Sequence, residues 1–500
     1  MPLLAAAQDV PDAGRRSFSR TADGKPDLQG IWQASSTAAA DLLDHVAGLN
    51  MPAGRSVVVG GEIPYQPWAV QQKAENFRNR LTADPFAKCY MPGVPRLMYL
   101  DFPFQIFQRP DVIAMAFEWS LNSRMVFLNS PHPDDEGLWT GDSRGHWEGD
   151  VLVVDVAHLN PNTWFDMAGN FHSDALHVTE RYTMTGADTI HYQATLEDQK
   201  VFTRPWVIEL DLRRRLDRDR LFEYACQAEV EEQNGAFPRE ERTWYPGNPA
   251  APPVAMPASP TPTAPAAPAA SSIRRMANGK PDFQGTYESQ TRGANQGLEK
   301  PGVDRPFLIT DPPGGKLPML PWAVAERTSR RLTERGYDDP TAHCFPAGVP
   351  RSMWVPQAFE IVQTPDYFVI VFERVSWRII PLDGRPHLPA TMRLWQGDSV
   401  GRWEGDTLVV DTTNLNGKTW LNEDGEIISY AAHVVERFTP GQNAIQYQAT
   451  VTDPVVYNKP WTVAFPMALL PKWDYREAAC HEEDRDLPRL KALQDAARRK

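Results

Sequence analysis

The side chains best placed for chemistry in this 500-residue chain are carboxylates, arginines and tyrosines that recur in one order at two places. In Leu176-His177-Val178-Thr179-Glu180-Arg181-Tyr182, strand alternation puts Leu176, Val178, Glu180 and Tyr182 on one face and His177, Thr179 and Arg181 on the other. The first face is apolar, which predicts an inward carboxylate at Glu180 and, in the second occurrence, at Glu436. A buried carboxylate must be paired or its pKa rises, and a raised pKa suits a general acid or base. Arg124 and Arg378 open an adjacent strand as candidate counter-ions. Glu118 and Glu373 end the strand before, and Tyr192 and Tyr447 lie on the apolar face of theirs. These eight form the candidate catalytic set. The competing reading is a satisfied polar bridge that serves the fold common to both copies.

A second group has the character of a ligand site. Cys-x-x-x-Gly-Val-Pro-Arg loops place Arg96 and Arg351 beside the aromatics Tyr99 and Trp354. Of the sixteen tryptophans, Trp68, Trp164 and Trp420 fall in loops, where they could cap a cavity mouth, and Trp322 is the partner of Trp68. An arginine there holds a ligand carboxylate or phenolate, or else pins its loop to backbone carbonyls.

Other motifs carry less. Gly141-Asp142-Ser143-Arg144-Gly145 has the spacing of a serine-hydrolase elbow but precedes a hairpin instead of a helix. His177 and His433 sit three residues before a glutamate, on opposite strand faces, so they form no metal clamp and read as surface histidines. His132-Pro133-Asp134-Asp135-Glu136 reads as an exposed acidic loop, with Ca²⁺ the metal to try, whereas His387-Leu388-Pro389-Ala390-Thr391 lacks the acids. With no CxxC and no glycine-rich phosphate loop, neither a metal nor a cofactor is expected.

The elements that must position these groups come in duplicate. Gly24-Lys25-Pro26-Asp27-Leu28-Gln29-Gly30 recurs as Gly279-Lys280-Pro281-Asp282-Phe283-Gln284-Gly285, and Trp147-Glu148-Gly149-Asp150 as Trp403-Glu404-Gly405-Asp406. Between the copies, Pro246–Ser272 holds nine prolines, nine alanines and no charge, the composition of an unfolded, extended linker. This divides the chain into an N-terminal segment (1–20), a first copy (21–245), the linker (246–272) and a second copy (273–490). The cysteines obey the same shift, so Cys89–Cys226 and Cys344–Cys480 are the economical bridges and suit an oxidising compartment. The start, through Ala5-Ala6-Ala7-Gln8, has the look of a trimmed signal peptide, which points to a periplasmic or secreted protein. A net charge of −13 argues against nucleic acid or anionic membrane, and no apolar run is long enough to insert in one. The oligomeric state is not legible.

Each copy shows one helix, Pro67–Leu81 or Pro321–Arg335, with proline in its first turn. Short runs rich in β-branched and aromatic residues follow: Val112–Trp119, Arg124–Asn129, Val151–Ala157, Ala175–Thr183, Thr189–Glu197, Trp206–Arg213 and Leu221–Cys226. The fold class is all-β: two tandem antiparallel up-and-down barrels of eight to ten strands, with a two-sheet sandwich as the alternative. Gly141-Asp142-Ser143-Arg144-Gly145-His146-Trp147-Glu148-Gly149-Asp150-Val151-Leu152-Val153-Val154-Asp155 and Glu180-Arg181-Tyr182-Thr183 resemble a widespread group of uncharacterised exported bacterial proteins. The strand order is also similar to lipocalin-like (calycin) barrels, a resemblance that implies an interior cavity for one small apolar ligand. The expected function is a cofactor-independent lyase or isomerase acting on a bulky apolar molecule of aromatic or terpenoid type. The alternative is a periplasmic carrier that binds such a molecule without turnover.

Overall fold

The computed structural model describes residues 18–133, 137–234, 273–291, 293–299, 308–374, 376–473, 475–480 and 486–499. The N-terminal stub, the linker and Asp134–Glu136 lie outside the described residues. The chain forms two compact units, one drawn from within 1–80, 93–113 and 126–220, the other from within 81–92, 114–125 and 221–500.

The first copy supplies β1 (Gly30–Ala34), β2 (Phe104–Gln108), β3 (Val112–Phe117), β4 (Ser123–Leu128), β5 (Asp142–Glu148), β6 (Val151–Ala157), β7 (His177–Gly186), β8 (Thr189–Glu197) and β9 (Trp206–Arg214). The second supplies β10 (Gly285–Ser289), β11 (Ile309–Asp311), β12 (Ala358–Gln363), β13 (Tyr367–Phe372), β14 (Ser376–Pro381), β15 (Asp398–Glu404), β16 (Thr407–Thr413), β17 (His433–Gly441), β18 (Ala444–Thr452) and β19 (Trp461–Leu469). Helices are few: α1 (Pro67–Ala83), α2 (Cys226–Gln233), α3 (Pro321–Arg330) and α4 (Leu487–Arg498).

β7 shows why these segments are strands. Val178, Glu180, Tyr182 and Met184 are buried while His177, Thr179, Arg181 and Thr183 stay part-exposed, a period of two. The β5–β6 hairpin closes Glu148 on Val151 through Gly149, whose φ of 61° is a left-handed value that glycine adopts without strain. Gly405, also at φ 61°, repeats the turn.

The first nine strands close into a barrel in sequence order, with β1 pairing back onto β9. This excludes the sandwich for the first copy. It also corrects the all-antiparallel expectation. A ring of nine strands cannot alternate direction throughout, so one neighbouring pair must be parallel. That pair is β4–β5, in the register Val126↔Ser143, Phe127↔Arg144 and Leu128↔Gly145. The second copy follows the same order from β14 through β13, β12, β10 and β19 round to β15, with β11 beside β19. Among the described residues, no backbone ladder joins β14 to β15. The second barrel is therefore open at the seam where the first is closed.

Leu221–Cys226 is not a strand. The backbone N–H of Phe222 donates to the Glu118 carboxylate (2.8 Å), Tyr224 makes a single bridge with Trp119, and Cys226 opens α2. The helix expected over Pro321–Arg335 stops at Arg330 and gives way to a 3₁₀ turn at Thr333–Asp338. Two bridges, Cys89–Cys226 and Cys344–Cys480, span Cα–Cα distances of 5.6 and 5.8 Å. Both lie in the second compact unit. Among the described residues, no helix is long and apolar enough to cross a membrane.

Candidate functional site

Alternation along β17 turns Glu436 inward, where it is fully buried. Arg378, on β14, meets it as a fork: Nη1 donates to Oε1 at 2.8 Å and Nη2 donates to Oε2. The same guanidinium donates to Ser399 Oγ on β15 (3.0 and 3.3 Å) and to Thr412 Oγ1 on β16 (3.0 Å). Tyr447 donates its hydroxyl to Glu436 Oε1 at 2.7 Å. Burial, reinforced by the Glu436 charge, pushes the Tyr447 phenol well above its ordinary range, so it stays a proton donor. Burial opposes the charge on Arg378, but Glu436 outweighs it and raises the guanidinium further. One side chain thus ties β14 to β15, β16 and β17 across the seam that lacks a ladder.

In the first barrel, Glu180 on β7 is likewise fully buried. Its Oε1 accepts hydrogen bonds from two phenols, Tyr192 at 2.7 Å and Tyr182 at 3.1 Å. The second barrel carries Phe438 where the first has Tyr182, and Thr412 where the first has Val156. Arg124 is buried on β4, as Arg378 is on β14. Around Glu436 the space is filled by rings, with Phe368–Phe438, Phe438–Tyr447 and Tyr447–Phe465 centroids at 5.3, 5.2 and 4.9 Å.

The remaining candidates fall elsewhere. Glu118 holds the segment leading to Cys226, as described above. Glu373 accepts from Trp473 Nε1 (2.6 Å) and Arg476 N (3.3 Å), holding the segment leading to Cys480. Arg351, 1% exposed, forks onto Asp339 (2.8 and 2.9 Å) and also donates to Asn295 Oδ1 and the Trp420 carbonyl. Trp354 Nε1 donates to the Leu421 carbonyl (2.8 Å), and the Trp420 ring packs under the Arg330 guanidinium. Trp322 and Trp68 donate to the carbonyls of Val455 and Lys200, each at 3.1 Å. Arg96 is buried, the Tyr99 hydroxyl donates to Phe165 O (2.9 Å), and Trp164 bridges to Phe171. Both arginines thus sit at buried positions, and in the second copy Arg351 pins its loop.

Five groups that hold titratable side chains were not apparent as groups in the sequence. His387, in the connection between β14 and β15, lies between Asp398 (Nδ1, 2.9 Å) and Asp411 (Nε2, 3.1 Å), and His433 reaches the same Asp411 oxygen (2.9 Å). The first copy repeats the chain as Asp142–His132–Asp155–His177, at 2.5, 3.2 and 2.5 Å. The imidazole clamps the crossover that a β4–β5 parallel pair requires. Burial opposes a charge on His387, but hydrogen bonds to Asp398 and Asp411 prevail and raise it to about 9. Partial burial opposes the charge on Asp411 as well, yet hydrogen bonds from His387 and His433 hold it well below the usual carboxylate range.

Thr163 Oγ1 pairs with His172 Nε2 (2.7 Å), and burial depresses the imidazole, leaving it neutral. The second copy has Ile428 in place of that histidine. Asp166 and Asn170 face each other in the first copy (2.5 Å), and Asn422 and Glu426 exchange the roles in the second (2.5 Å). Burial pushes both Asp166 and Glu426 up to about 7. The available signal was the repeat itself: aligning the copies brings His132 over His387 and Asp155 over Asp411.

No family model matches the chain, and no curated protein matches it.

Proposed function

We propose that the protein is a cofactor-independent acid–base enzyme of lyase or isomerase type, acting on a bulky apolar molecule of aromatic or terpenoid character. Glu180, Tyr182 and Tyr192 of the first barrel are its working groups, and the second barrel is its scaffold. The observation that carries this reading is the pair of phenols on Glu180 Oε1 inside a closed barrel. A carboxylate that accepts hydrogen bonds from two phenols is held in one orientation, from which it can serve as a base. Once Glu180 takes a proton from substrate carbon, a phenol alongside can deliver one to another atom. Placement by the barrel wall supplies the orientation such a transfer needs. The seam of the first barrel is closed by a backbone ladder between β4 and β5.

A carrier that binds without turnover is the second reading, and complete burial of Glu180, Tyr182 and Tyr192 favours it. The two disulfides support export to an oxidising compartment in either case. The test is to identify small molecules that co-purify with the full chain by mass spectrometry, then incubate them with fresh protein in D₂O. Solvent deuterium entering the molecule at carbon is the expected result. Retention of an unlabelled, unchanged molecule establishes the carrier instead.

A further inference from the structure

The two disulfides have the same spacing and opposite surroundings. Cys89 and Cys226 are 5% and 4% exposed. Beside them Trp119 stacks between Phe86 (4.1 Å) and Tyr224 (5.4 Å), an aromatic cover. In the second copy the equivalents of Phe86 and Trp119 are Thr341 and Arg374. Cys344 and Cys480 are both only half-buried. A cavity of about 60 Å³ lies against Cys344, lined also by Thr341, Ser352, Gln357, Arg374 and Ser376. That is roughly two to four water volumes, enough for the CH₂–SH end of a small thiol. Ser352, 3% exposed, lines it with a hydroxyl that has no hydrogen-bond partner among the described residues. Arg374 Nη2 sits 2.8 Å from Cys480 Sγ.

We infer that Cys344–Cys480 is a thiol–disulfide exchange site for small-molecule thiols, with Cys344 the sulfur attacked and Cys480 the leaving group. The thiolate of a first small thiol, seated in the cavity with the Ser352 hydroxyl as its donor, bonds to Cys344 Sγ. The Cys344–Cys480 bond breaks, and Cys480 departs as a thiolate beside the Arg374 guanidinium. A second small thiolate attacks the small-molecule sulfur of the mixed disulfide and frees Cys344. Two electrons pass to the protein, the two small thiols leave as their disulfide, and the two protons they gave up end on Cys344 and Cys480. A positive group at the leaving sulfur speeds such exchange because the leaving thiolate is stabilised. The Cys89–Cys226 bridge, beside the Phe86–Trp119–Tyr224 stack, stays closed. This inference does not depend on the acid–base reading of the first barrel.

The test exposes the oxidised full chain to graded reduced and oxidised glutathione, quenches with an alkylating agent, and maps each cysteine by mass spectrometry. Cys344–Cys480 should open while Cys89–Cys226 remains intact, with the glutathione adduct on Cys344. Arg374→Gln should slow opening about tenfold and leave the Tm of the oxidised protein unchanged, whereas Arg374→Lys should retain most of the rate. The inference is overturned if the bridges open together, if the adduct sits on Cys480, or if Arg374→Gln exchanges as fast as the parent. Should Arg374→Gln fail to fold, the order of opening in the parent and the rate of Arg374→Lys still decide it.

Discussion

The two barrels solve one geometric problem in different ways. Nine strands in a ring force one pair out of alternation. In the first barrel that pair becomes a parallel ladder, three residues long, between β4 and β5. In the second barrel no such ladder is present among the described residues, and Arg378 reaches from β14 to Ser399, Thr412 and Glu436 on the next three strands. The same Glu–Arg–Tyr composition thus stands beside a backbone ladder in one copy and beside a side-chain tie in the other. The second phenol on Glu180 and the Thr163–His172 pair, both absent from the second copy, set the first copy apart.

The largest effect expected from breaking this comparison is at the seam. Arg378→Met leaves Glu436 buried and uncompensated, a loss of about 3–5 kcal/mol, read by urea or thermal unfolding. Adding Glu436→Leu should recover much of it, since an apolar pair of similar volume avoids the stranded charge. Next is the phenol that distinguishes the copies. Tyr182→Phe gives Glu180 the neighbour that Glu436 has, removing one hydrogen bond to a charged group at about 1.5–3 kcal/mol. Turnover should fall in that variant, while Phe438→Tyr in the second barrel should confer none.

Two smaller effects are set by pH. Glu426 has a folded pKa of about 7, raised by burial above its ordinary value of 4.5. An acid whose folded pKa is raised favours folding when protonated, so its contribution is full below about pH 4.5 and is lost as pH rises to 7. Glu426→Gln should therefore raise Tm relative to the parent at pH 8, with the gain shrinking by pH 5. His387 works in a different window. Its folded pKa, about 9, exceeds the ordinary 6.5, so its contribution is fully present below pH 6.5 and lost as pH rises through 9. His387→Gln should lower Tm at pH 6 and match the parent above about pH 10, compared by thermal melts across that range.

Much of this was legible in the residues, and the reasons for the rest are physical. Period-two alternation is local, so the inward turn of Glu180 and Glu436 and the strands Val151–Ala157 and Thr189–Glu197 could be read directly. The repeat carried the cysteine pairing, because each bridge joins equivalent residues. The parallel seam was not legible, because it follows from the parity of a closed ring and no local pattern encodes it. β1 and β2 were missed because Gly30–Ala34 and Phe104–Gln108 are short and, in β2, buried along their whole length, which erases alternation. Leu221–Cys226 had strand composition, but a carboxylate 104 residues away in sequence, Glu118, takes the backbone donor of Phe222. His132 looked like part of an acidic loop, whereas its partners Asp142 and Asp155 come from neighbouring strands.

The division of labour between the barrels is tested most directly by Glu180→Gln and Glu436→Gln made separately in the full chain, with turnover of the co-purifying molecule and Tm measured on both. Glu180→Gln is expected to lose activity by about 10²- to 10⁴-fold with little change in Tm, and Glu436→Gln to lower Tm while keeping turnover. Loss of turnover in Glu436→Gln at a temperature where it is folded, or unchanged turnover in Glu180→Gln, would contradict the account.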